Sequence, residues 1–107
     1  MSTHVAPPPE EMAENAQSAA AYLKTLAHEG RLMILCHLGA GEKSVGELED
    51  LLDIRQAAVS QMLARLRDEG LVTPRREGKT IYYSLADDKT AAVIGLLYNL
   101  FCKDGCA

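Results

Sequence analysis

Along most of this chain apolar residues return every three or four positions, and near residue 71 the period changes. From Glu10 to Ala27, Met12, Ala16, Ala19, Ala20, Leu23 and Leu26 recur at helical spacing among strong helix formers, which predicts a first helix. A second fits Glu29 to Leu38, closed by Gly39-Ala40-Gly41. Ser44-Val45-Gly46-Glu47 is a capping box: Ser followed three residues later by Glu, each side chain able to satisfy the other's backbone N–H. It opens a short helix through Leu52. After Asp53-Ile54-Arg55, the segment Gln56 to Asp68 sets Val59, Leu63 and Leu66 on one face and Gln56, Ser60 and Gln61 away from it, with Gly70 as the stop. Two β-prone runs then flank a polar Arg75-Arg76-Glu77-Gly78-Lys79 turn, Leu71–Pro74 and Thr80–Leu85, and predict a two-stranded hairpin. Last comes Ala91 to Cys102, apolar nearly all round.

That final segment changes the expected assembly. A helix apolar on every side needs cover, and 107 residues leave little chain to wrap it, so a second copy of the chain is expected to supply the cover. Three consecutive prolines, Pro7 to Pro9, mark residues 1–9 as a disordered tail, leaving residues 10–104 as one domain. No stretch approaches the ~20 apolar residues of a membrane span. The N-terminus has neither the basic nor the apolar region of a secretory signal. Three cysteines form no paired framework, so a cytoplasmic setting is expected.

Net charge is −4, which argues against nucleic acid until its distribution is followed. Residues 1–54 hold three Lys or Arg against nine Asp or Glu, whereas residues 55–79 hold six (Arg55, Arg65, Arg67, Arg75, Arg76, Lys79) against three. Screening limits the reach of the acidic remainder to about 8–10 Å, so a local basic segment can still follow phosphates. The order helix, short turn, helix, basic hairpin is that of a winged helix-turn-helix, mainly α with a β wing: five helices and a two-stranded hairpin. A helix entering a major groove needs short or amide-bearing side chains. Gln56, Ala57, Ser60 and Gln61 satisfy that, with Arg65 and Arg67 placed for phosphates. Arg75, Arg76 and Lys79 are expected at the hairpin tip, near flanking backbone or minor groove. Double-stranded DNA is therefore the expected partner.

Four stretches carry a family resemblance: Leu-Lys-Thr-Leu-Ala-His-Glu-Gly-Arg-Leu-Met-Ile-Leu-Cys-His-Leu at 23–38, Ser44 to Leu52, Ala57 to Val72, and Arg75 to Asp87. Together they resemble the ArsR/SmtB winged-helix repressors. The resemblance implies a homodimer joined through its first and last helices, bound to operator DNA and released by an inducer. Two positions depart from the family pattern: Arg55 stands where a Ser helix cap is usual, and Met62 where His is usual.

The thiols then gain a context. The helix before the turn lacks the cysteine pair of the arsenic-responsive branch, and the last helix lacks the histidines of the zinc-responsive branch. Cys36, His37, Cys102 and Cys106 are the candidates for any other metal site. Cys36 and His37, adjacent on a helix and about 100° apart, do not readily chelate together, so no metal and no cofactor are assigned. Cys36 and Cys102 instead resemble the paired cysteines of the BigR/SqrR/HlyU branch, which implies an inducer that is a persulfide or polysulfide. A direct disulfide needs Cα atoms about 4.4–6.8 Å apart; inserted sulfur would bridge a wider gap. Lys103 beside Cys102 favours thiolate, whereas Cys106 reads as accessory or incidental. His28 and His37 read as solvent-facing or hydrogen-bonded, and Tyr82, Tyr83 and Tyr98 as packing residues, with Tyr82 or Tyr83 also able to touch a phosphate. The alternatives are a metal-responsive repressor and a general thiol-oxidation sensor. A thiol enzyme or persulfide carrier is disfavoured, lacking a CxxC pair, a catalytic His/Asp setting or a cofactor loop, and would leave the winged-helix order unexplained.

Overall fold

The computed structural model describes residues 8–102, with the backbone alone at Cys102. Helix α1 spans Pro9–Leu26 and α2 spans Glu29–Gly39. The first helix therefore begins inside the segment expected as a tail, because proline's preset φ and missing N–H suit a helix's first position. Residues 1–7 lie outside the described residues. The corner between α1 and α2 is tied from both sides. His28 Nδ1 accepts from the Arg31 N–H at 3.3 Å, and Arg31 Nε donates to the Thr25 carbonyl at 2.8 Å.

A two-residue strand, β1 at Lys43–Ser44, leads into α3 at Val45–Leu52. The capping box is complete: the Glu47 N–H donates to Ser44 Oγ at 3.1 Å, and the Ser44 N–H donates to the Glu47 carboxylate at 2.8 Å. Helix α4 covers Gln56–Asp68. It ends as a Schellman motif, with Gly70 at φ 77° and the Leu71 N–H bonded to the Leu66 carbonyl at 2.9 Å. Strands β2 (Val72–Glu77) and β3 (Thr80–Leu85) follow, then α5 (Asp88–Leu97), which runs into a π-helical turn at Tyr98–Cys102.

Three features differ from the periodicity. The sheet has three strands, antiparallel in the order β1-β3-β2, because Lys43 and Ser44 pair with Tyr83 and Tyr82. Arg75 and Arg76 lie within β2, opposite Tyr82 and Ile81, rather than in the turn. The turn is reduced to Gly78-Lys79, where Gly78 at φ 63° meets the positive-φ demand of a two-residue hairpin loop. Strand β2 is thus an edge strand and carries Pro74 within it. Finally, α5 starts at Asp88 rather than Ala91. The Asp87 carboxylate accepts from the Thr90 N–H at 2.9 Å and caps the extra turn; that bond, aided by the Thr90 hydroxyl, holds its pKa below the usual carboxylate value.

The core lies between the helices and the inner face of the sheet. Ile34, Leu35 and Leu38 of α2 meet Leu48 and Leu52 of α3, Val59, Leu63 and Leu66 of α4, and Ile94 of α5. Tyr22 Oη donates to Thr90 Oγ1 at 3.1 Å, joining α1 to α5 at a threonine with no exposed surface. Since Leu35 is wholly enclosed at the centre, Leu35→Ala is expected to cost about 2–5 kcal/mol. Urea unfolding checks this, and an unchanged midpoint would mean that the core is centred elsewhere.

Candidate nucleic-acid interface and thiol cleft

Helix α3, the Asp53-Ile54-Arg55 break and α4 form the helix-turn-helix. Asp53 adopts the left-handed conformation at φ 54°, which ends α3 and turns the chain toward α4 within three residues. Arg55 occupies the N-cap of α4, and no side chain caps that end. Val59, Leu63 and Leu66 pin α4 to the core. A helix advances about 100° per residue, so the exposed side divides into two flanks. Gln56, Ser60 and Arg67 fall on one, Gln61 and Arg65 on the other, with Ala57 between them; all six are exposed. The small alanine at the centre lets a flat or grooved polymer approach closely, while amide, hydroxyl and guanidinium groups stand on either side.

The predicted residues are not equally available. Gln61 borders a groove of about 490 Å³ between α2 and α4, together with His28, Gly30, Met33 and Met62. A Cβ on Gly30 would stand 2.6 Å from Met62 Sδ, so α2 and α4 touch there at a glycine. Arg65 is paired with Glu69 at 3.3 Å, one helical turn on. Arg67, Arg76 and Lys79 make no ion pair among the described residues. Arg75 is held by two carboxylates, Glu42 and Glu77. Its guanidinium also stands 5.0 Å from the centre of the Tyr82 ring. No pattern in the chain signals the Glu42 contact, since 33 residues separate the partners.

Cys36 sits half-buried on α2 and packs against the core. It opens onto an apolar cleft of about 910 Å³ between α2 and the end of α5, shared with His37, Gly95, Tyr98, Asn99 and Phe101. The last three belong to the π-helical turn that also contains Cys102. The Cys102 thiol, Lys103 and Cys106 lie outside the described residues. Tyr98, expected to pack, is 40% exposed in the single chain. Tyr83 is buried and Tyr82 half-buried, as packing residues should be. His28 is hydrogen-bonded, as the N-cap of α2. Among the described residues no three His, Cys, Asp or Glu side chains cluster as metal ligands. No helix there is long and apolar enough to cross a membrane.

A helix-turn-helix whose second helix is basic at its edges, followed by a β wing, is the architecture of a helix-turn-helix DNA-binding regulator. The model of the arsR family of bacterial regulatory proteins matches residues 28–73, and the chain belongs to that family. It is 55% identical over 91 residues to the biofilm growth-associated repressor of Agrobacterium fabrum, covering 85% of this chain and 78% of that one. It is 46% identical over 94 residues to the transcriptional activator HlyU of Vibrio cholerae, covering 88% and 87%. Among solved structures, the transcriptional repressor BigR of Xylella fastidiosa superposes with a TM-score of 0.85 at 44% identity, over 92% of this chain and 97% of that one. Reduced HlyU of Vibrio cholerae gives 0.84 at 46% identity, over 87% and 98%. The chain is a transcriptional regulator of this family, and its fold is the winged helix expected.

Proposed function

We propose that this regulator is a cytoplasmic, homodimeric repressor that occupies double-stranded operator DNA and releases it when Cys36 and Cys102 react with a persulfide or polysulfide. Residues 10–104 act as one DNA-binding and dimerisation domain. Gln56, Ala57, Ser60 and Gln61 meet base edges, while Arg65, Arg67, Arg76 and Lys79 meet phosphates. The observation that carries the sensing half is the shared cleft: Cys36 forms part of one wall, and the turn bearing Cys102 forms the other. Resemblance to a repressor named BigR, and to HlyU in a form named as reduced, supports the same reading.

The chemistry balances without a metal. One thiolate takes the outer sulfur of a persulfide, RSSH, and expels RSH. The new protein persulfide attacks the R-bearing sulfur of a second RSSH and expels sulfide. The other cysteine then closes the bridge by attacking the central sulfur and expelling the second RSH. Net, the dithiol and two RSSH become a trisulfide, two RSH and H2S. The protein gains one sulfur and loses two hydrogens, about 30 Da. Intact-protein mass spectrometry after glutathione persulfide, with binding to the upstream DNA measured in parallel, tests the proposal. A 30 Da gain with DNA release is expected with persulfide alone. A 2 Da loss with persulfide and peroxide alike would make the protein a general thiol switch, and no mass change would turn the search to metals.

The reading helix has its own test. Gln56→Ala and Ser60→Ala are each expected to cost about 1–3 kcal/mol of discrimination between operator and random duplex, the worth of one well-placed hydrogen-bonding pair with a base. If discrimination by both variants equals that of the parent, another element reads the bases.

A further inference from the structure

The wing holds an arginine that its own surroundings have already bound. Arg75 Nη2 and Nε grip Glu42 Oε1 and Oε2 at 2.7 and 2.9 Å, a two-pronged fork on one carboxylate. Arg75 Nη1 donates to Glu77 Oε1 at 2.8 Å. Every nitrogen of the guanidinium therefore faces a carboxylate, while the Tyr82 ring lies 5.0 Å from its carbon. The two glutamates reach it from different places: Glu42 from the turn before β1, and Glu77 from the end of Arg75's own strand. Glu42 is held below the usual carboxylate pKa, chiefly by its bond to Arg75. The neighbouring wing cations, Arg76 and Lys79, have no such partners among the described residues.

From this geometry we infer that Glu42 and Glu77 determine specificity by withholding Arg75 from the phosphate backbone. The inference rests on the reading above that the wing faces DNA. A cation that neutralises a phosphate releases a condensed counterion, and that gain is the same on every sequence. An arginine locked to two carboxylates contributes no such gain, and the local cluster carries one negative charge in excess. The wing thus meets DNA through Arg76 and Lys79 alone. Attraction to random sequence stays low, and base contacts from α4 decide where the protein rests.

The test measures affinity for a random duplex across a salt series with the full chain. Arg75→Ala should leave the slope of log K against log salt unchanged. The pair Glu42→Gln and Glu77→Gln should steepen it by about 0.9, so that affinity falls about three- to fourfold more between 50 and 200 mM salt. Adding Arg75→Ala to that pair should return the slope to its starting value. A shallower slope in Arg75→Ala alone would show the arginine already on phosphate and overturn the inference. A gain that survives removal of Arg75 would also overturn it, since charge removal alone would then account for the change. A separate control protects the underlying reading: Arg76→Ala with Lys79→Ala should flatten the slope, and no effect there means that the wing does not face DNA.

Discussion

A chain carrying Leu23→Glu and Leu100→Glu is expected to sediment as a monomer and to bind its operator about 10²–10⁴-fold more weakly than the parent. In the single chain Leu23 is 58% exposed and Leu100 is 65% exposed, at the ends of α1 and of the α5 extension. Each fully buried leucine contributes about 1.5–3 kcal/mol, and an unpaired carboxylate in its place reverses the sign. The monomer should nevertheless fold, because neither side chain belongs to the core; an unchanged far-UV spectrum and a cooperative melt, at a temperature lowered by the lost association and independent of protein concentration, would confirm that. The loss on DNA comes from tethering. In the proposed dimer the second copy of α4 would be delivered at high effective concentration once the first is seated, and a monomer would forfeit this. A variant that remains dimeric would move the interface away from α1 and the α5 end.

Cys36→Ser is expected to leave the untreated protein's operator affinity within about twofold, and to abolish its response to persulfide. In the parent, bridging should weaken operator binding by about 5- to 150-fold, the ordinary range of coupling between two sites. The variant should show neither the weakening nor the mass gain. Cys102→Ser should match it, which separates a two-thiol bridge from modification of Cys36 alone. Coupling is reciprocal, so saturating operator should disfavour bridge formation by the same factor, measurable as trisulfide yield against persulfide with and without DNA. A Cys36→Ser protein that still releases DNA would reduce this thiol to a packing residue.

Much of the fold is legible in the chain because its signals are local. The capping box at Ser44, the apolar stripe of α4 and the Gly70 stop each act within a few residues, and each stands where the spacing puts it. Strand β1 is illegible for the opposite reason: Lys43 and Ser44 form a strand only because Tyr83 and Tyr82 are waiting some forty positions later. The start of α5 does have a local signal. Asp87 three residues before Thr90 is a side-chain cap, but the apolar run beginning at Ala91 is the stronger pattern and masks it. Placement of the wing arginines fails on register, since a polar run resembles a turn until pairing with Tyr82 and Ile81 extends the strand through it. The exposed faces of α4 follow from period alone, but the pairing of Arg75 with Glu42 is tertiary and leaves no local trace.

Strand β2 is the outer edge of the sheet, and its outward backbone is the kind of surface on which chains zip together into aggregates. Here that edge carries a proline, which has no N–H to offer, beside two arginines and a glutamate. In the single chain residues 73–77 of that strand are all exposed to solvent. Pro74 and its charged neighbours disfavour pairing of that exposed edge with another chain.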